Sequence, residues 1–133
     1  MTVFVDTFAL IAWLNPRDEA HARVVAYLDR FTGRLVTTEW VLMELADALS
    51  AATARATVIA FLQAVRADPQ FEVVAYDASV YRAGFGIFAS RPDKNWSLTD
   101  CISFGVMTER ALSDALTADR HFEQAGFRAV FKA

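Results

Sequence analysis

Short apolar runs of strand length recur along the chain, at residues 3–5, 35–37, 71–75, 115–117 and 129–131. None alternates cleanly between apolar and polar positions, the pattern expected of parallel strands covered on both faces. The segments between them carry apolar residues at helical spacing, so strands and helices alternate in an α/β layout. The gap between the second and third runs has room for a helical hairpin, with a break near residues 50–53. A second helical pair is predicted over 78–110, divided by the polar stretch 90–95, which has turn chemistry. An amphipathic segment covers 19–31, and a short helix is expected over 120–125.

At 133 residues the chain has the size of one ordinary domain, here taken as 1–133. With 55% hydrophobic and 22% charged residues, it holds enough apolar material to fold without a disulfide or structural metal. Cys101 is the only cysteine, which excludes an internal disulfide and suits a reducing, cytoplasmic setting. The apolar stretch 3–14 is interrupted by Asp6, lacks a preceding basic segment and is too short to span a bilayer, so no signal or membrane anchor is expected. A formal net charge of −3 argues against nucleic-acid binding by bulk electrostatics, so any such partner must be met locally.

Four acids stand where chemistry is expected. Asp6 directly follows the first apolar run, at the carboxyl end of a strand, where open α/β sheets bind ligands. Asp119 repeats that arrangement after the fourth run, and either residue could equally be a helix N-cap. Glu44 falls within the apolar stripe of Val41, Leu45, Ala48 and Leu49, on a helix with no basic residue. A carboxylate turned toward a core requires a basic partner, protonation or a metal. Asp100 shares a helix face with Ser103, Phe104, Met107 and Ala111, and is also the fourth member of a Ser97–Asp100 capping box. Each acid alone has a structural explanation. Four like charges gathered together require bound cations.

The segments VFVDTFALIAWL, TTEWVLMELADALS, WSLTDCISFGVM and ALTADRHFEQAGF together resemble the PIN-domain nucleases, specifically the short VapC-type toxins of bacterial toxin–antitoxin pairs. That resemblance spans essentially the whole chain. It implies a single α/β domain with a five-stranded parallel sheet of order 3-2-1-4-5, flanked by helices on both faces. It further implies Mg²⁺ or Mn²⁺ held by Asp6, Glu44, Asp100 and Asp119, hydrolysis of RNA phosphodiester bonds, a cognate antitoxin and a homodimer. Phe8 replaces the small polar residue that often follows the Asp-Thr pair, leaving Thr7 and Ser103 as candidates for orienting the carboxylates.

Residues around the acids carry further options. Arg91, Lys94 and Trp96 precede Asp100 and suit either phosphate and base contacts or a solvated loop anchored by its Trp. Arg120 and His121 adjoin Asp119, and His121 is not expected to be the catalytic base. Cys101 reads as a buried small residue and His21 as surface or packing. Trp13 and Leu14, ahead of Asn15-Pro16, offer an apolar edge for a dimer or antitoxin. Two other functions compete: an inactive RNA-binding relative, and a receiver-like phospho-acceptor domain using Asp77, Thr117 and Lys132.

Overall fold

A computed structural model describes residues 1–132. Its centre is a strand, β1 (Thr2–Val5), in which Val3, Phe4 and Val5 are buried whichever way they point. Both sheet faces are therefore covered, which is why the apolar runs lack alternation. Four more strands, β2 (Arg34–Thr38), β3 (Phe71–Val74), β4 (Asp114–Leu116) and β5 (Arg128–Ala129), complete an all-parallel sheet of order β3-β2-β1-β4-β5. The chain leaves β1 for β2 on one side and later returns to β4 on the other, so the switch point lies between β1 and β4.

The helices flank this sheet. They are α1 (Thr7–Leu14), α2 (His21–Arg30), α3 (Glu39–Ala48), α4 (Ala52–Ala67), α5 (Ala78–Ser90), α6 (Leu98–Glu109) and α7 (Arg120–Gln124). Both expected helical pairs are present, α3 with α4 and α5 with α6. Strand limits differ slightly from the apolar runs. Thr117 is not in β4, because its amide turns back on the Ala115 carbonyl at 3.0 Å and ends the strand.

Aromatic packing fixes the elements that carry the acids. Phe104 of α6 meets Phe122 of α7 edge to face at 5.0 Å, and Phe122 packs on Phe4 of β1 at 6.4 Å. Trp96 closes the same cluster against Phe104 at 5.1 Å. On the other pair, α5 lies so close to α6 that a Cβ on Gly84 would stand 2.4 Å from Ile102 Cγ1. Glycine is required there by close approach. Among the described residues, no helix is long and apolar enough to cross a membrane.

Several peripheral expectations are revised by this packing. Trp13 is not a free edge: it packs edge to face on Phe61 at 5.4 Å and stacks on Phe71 at 6.2 Å. With Leu14 it borders a notch of about 300 Å³ that also includes Phe61 and Val65. His21 donates Nδ1–H to the Ala12 carbonyl at 2.7 Å, tying α2 to α1. Cys101 is fully buried. Ala48 is exposed and so does not belong to the α3 core stripe.

Candidate metal centre

The register of the sheet assembles the site. Val5 pairs with Leu116, so the residues just beyond each, Asp6 and Thr117, leave the sheet side by side. Thr117 Oγ1 donates to Asp6 Oδ2 at 2.9 Å and accepts the Asp119 amide at 3.1 Å. One buried hydroxyl thus fixes both strand-end acids. It matched no expectation for a nuclease site, since a Thr two residues before an Asp has no signal until the strands are paired.

Asp6 occupies the N-cap position of α1, yet its side chain makes no capping bond. The cap alternative is therefore not what this carboxylate serves. Only 6% of the residue is exposed. Burial pushes its carboxyl up to about 7, the Thr117 hydroxyl opposes that rise, and the charges of Asp100 and Glu44 add to it.

Asp100 resolves its two roles by dividing its oxygens. Ser97 and Asp100 form the reciprocal capping box, with Ser97 N donating to Asp100 Oδ2 at 3.1 Å and Asp100 N to Ser97 Oγ at 3.0 Å. His121 Nδ1 reaches the same Oδ2 at 3.1 Å. Among the described residues, Oδ1 receives no hydrogen bond and is free for a ligand. Asp119 does cap its helix, accepting the His121 amide on Oδ1 at 2.9 Å. Its Oδ2 is likewise without a partner among the described residues.

Glu44 is half-buried rather than enclosed in the core. Thr7 donates Oγ1–H to its Oε1 at 2.5 Å, so a hydroxyl from α1, and not a base, meets this charge. Ser103 behaves differently from Thr7. Its hydroxyl is fully buried with no hydrogen-bond partner among the described residues, so it orients none of the carboxylates through a direct bond.

These side chains border one cleft of about 470 Å³ at the carboxyl end of the sheet, lined by Asp6, Thr7, Phe8, Glu44, Asn95, Ser97, Asp100, Ala118, Asp119 and His121. The four acids meet there, but not equally. Ligating atoms of Asp100, Asp119 and His121 lie within 4.8 Å of one another, and Asp6 and Glu44 stand outside that group. In sequence His121 is only a near neighbour of Asp119, with no contact implied. Its partner Asp100 lies 21 positions away, so only the fold reveals the pair. Among the described residues no Lys or Arg lines the cleft, and its four carboxylates offer hard oxygens, which fits a divalent cation of the Mg²⁺ or Mn²⁺ kind.

The flanking loop takes the anchored form. Trp96 is buried and its indole N–H donates to Gln124 Oε1 at 3.0 Å, so it cannot stack on a base. The receiver arrangement is not assembled either. Asp77 caps α5 through the Ser79 amide at 2.7 Å, Lys132 pairs with Glu123 at 2.9 Å, and Thr117 serves Asp6.

A five-stranded parallel α/β domain with an acidic cleft at its switch point places these carboxylates where open parallel sheets bind their ligands. The chain belongs to the PIN domain family, whose model matches residues 3–128. Comparison with curated proteins finds no match. Among solved structures, Mycobacterium tuberculosis VapC20, described as a sarcin-ricin loop cleaving toxin, superposes with a TM-score of 0.88 at 23% identity, over 96% of this chain and 98% of that one. FitAcB from Neisseria gonorrhoeae gives 0.68 at 19% identity over 99% and 97%. DNA-bound VapBC from Salmonella typhimurium gives 0.66 at 21% identity over 97% of each chain. At these identities the likeness is one of fold.

Proposed function

We propose that this PIN domain is a divalent-metal-dependent endoribonuclease and the toxin of a toxin–antitoxin pair. The observation that carries the reading is the convergence of Asp6, Glu44, Asp100 and Asp119 on one cleft that, among the described residues, no Lys or Arg lines. In this proposal Asp6, Asp100 and Asp119 hold Mg²⁺ or Mn²⁺. Glu44, held by Thr7, faces a second ion or its water. A divalent ion bound there would lower the pKa of a water near neutral pH and offset charge on the phosphate.

The chain's own residues do the positioning. Thr117 sets the angle between Asp6 and Asp119, the capping box aims the free Oδ1 of Asp100, and His121 bridges α7 to α6 through the same carboxylate. The acids also repel RNA phosphate unless cations are present, which makes substrate binding itself metal-dependent. VapC20 of the same fold is described as a sarcin-ricin loop cleaving toxin, and others of this fold are the VapBC and FitAB assemblies, which supports RNA as substrate and an antitoxin as partner. A homodimer and cytoplasmic residence complete the proposal. Cleavage of RNA by the purified chain that stops with EDTA and returns with Mn²⁺ is the expected result. Cleavage indifferent to chelator rejects the mechanism.

A further inference from the structure

A second cleft, of about 360 Å³, lies beside the acidic one, bordered by Phe85 and Phe88 of α5 and by Arg91, Pro92, Lys94 and Trp96 of the following loop. We propose that it is a stacking subsite for an unpaired base of a single-stranded RNA whose backbone continues into the acidic cleft. This rests on the ribonuclease reading above and adds to it the form of RNA recognised.

Two rings are open to solvent there. Phe85 and Phe88 are 47% and 44% exposed, whereas Trp96 is buried under the loop. They stand three positions apart on one face of α5, tilted at 6.5 Å, and Tyr81 extends the row by stacking on Phe85 at 6.1 Å. The platform is rigid because α5 is seated against Ile102 at Gly84. Any base has a π-face, so exposed rings beside cations are a sequence-tolerant platform for single strands.

Charge selects RNA as the occupant. Lys94 Nζ lies 5.9 Å from the Trp96 ring and has no carboxylate partner among the described residues. Arg91 is held by Asp93 through two bonds of 3.0 and 2.9 Å and lies over the same ring at 5.3 Å. Lys94 is therefore the cation left for a phosphate, in a chain that is acidic as a whole. Protein–protein interfaces are on average depleted of lysine, which favours the nucleic-acid occupant here.

Continuity with the acidic cleft supplies the direction. Asn95 and Ser97 line the acidic cleft while Trp96 between them lines the second. The two clefts thus share the segment 94–97 as a common border. In the proposal a strand stacked on Phe88 and Phe85 passes Lys94 on its way to the carboxylates.

The test compares wild type with Phe85→Ala/Phe88→Ala, Phe85→Tyr/Phe88→Tyr and Lys94→Gln. RNA hairpins with a labelled unpaired loop and a fully paired duplex are the probes, with anisotropy read in Ca²⁺ and cleavage in Mn²⁺. The Ala pair is expected to weaken loop binding about ten-fold or more and raise KM with little change in kcat, the Tyr pair to restore both, and Lys94→Gln to reduce the salt dependence. 2-Aminopurine in the loop should be quenched by wild type and not by the Ala pair. If wild type cleaves RNA but the Ala pair binds and cleaves like it, the subsite is wrong and the ribonuclease reading stands. Equal loss for duplex and loop, or a change in oligomeric mass at unaltered RNA affinity, would also overturn it. If wild type neither binds nor cleaves RNA, both fall.

Discussion

Substituting Asp6 by Asn should stabilise the metal-free protein while destroying its response to metal. Asp6 is buried, and its carboxyl lies at about 7 against 3.8 in the unfolded chain, chiefly through desolvation. The folded state therefore binds this proton more tightly than the unfolded state. The resulting stabilisation is complete below pH 3.8 and is lost as pH rises through about 7. From pH 6 to pH 8 this one group removes about 1.4 kcal/mol, a fall in Tm of roughly 5 °C for a domain of this size. At pH 8, replacing the ionised carboxylate by a neutral amide recovers up to about 4 kcal/mol, since Asn can keep the bond from Thr117. Mn²⁺ competes with the same proton, so its affinity for wild type should strengthen over that interval. Thermal melts at pH 6 and 8, with EDTA or Mn²⁺, read all of this. A wild-type Tm that is flat between pH 6 and 8 in EDTA, with Asp6→Asn no more stable at pH 8, would refute the reasoning.

Three further outcomes follow from the same contacts. Thr117→Val removes the donor to Asp6 and the acceptor for the Asp119 amide, and should cost about 1–3 kcal/mol and weaken Mn²⁺ binding by calorimetry, whereas Thr117→Ser retains both bonds and both properties. Ser97→Ala removes the α6 cap and should lower stability by about 1 kcal/mol in urea unfolding, with a smaller effect on metal affinity, because Asp100 Oδ1 is untouched. Gly84→Ala drives a methyl to 2.4 Å from Ile102 Cγ1 and should cost about 1–3 kcal/mol by parting α5 from α6.

Much of the fold was legible because its strands are doubly covered. Val3-Phe4-Val5 reads as a buried strand on composition alone, and Asp6 inherits its position from where that strand ends. The strand order came from family resemblance, since apolar runs do not say which neighbours pair. The capping box was equally readable, being local in sequence. What escaped was long-range. Asp100 and His121 are 21 positions apart, and Asp6 and Thr117 are 111 apart. From sequence, Glu44 stands out by the cost of a buried charge. Its helix instead leaves it half-exposed, with Thr7 from α1 as its donor. Trp96, beside basic residues, reads as a base-stacking candidate, yet its indole is used internally, while the open rings Phe85 and Phe88 lie on a helix whose sequence is simply apolar.

The most direct test of the acidic cleft as a catalytic metal centre pairs RNA cleavage with Mn²⁺ calorimetry, for wild type and Asp100→Asn. The substitution keeps an oxygen for the Ser97 amide, so circular dichroism and Tm should show an intact fold. The account predicts wild-type cleavage with Mn²⁺ or Mg²⁺, arrest by EDTA and recovery on adding metal, while Asp100→Asn loses about 100-fold or more in rate and binds Mn²⁺ measurably more weakly. Cleavage that persists in EDTA, or a folded Asp100→Asn that cuts RNA at the wild-type rate, would contradict it.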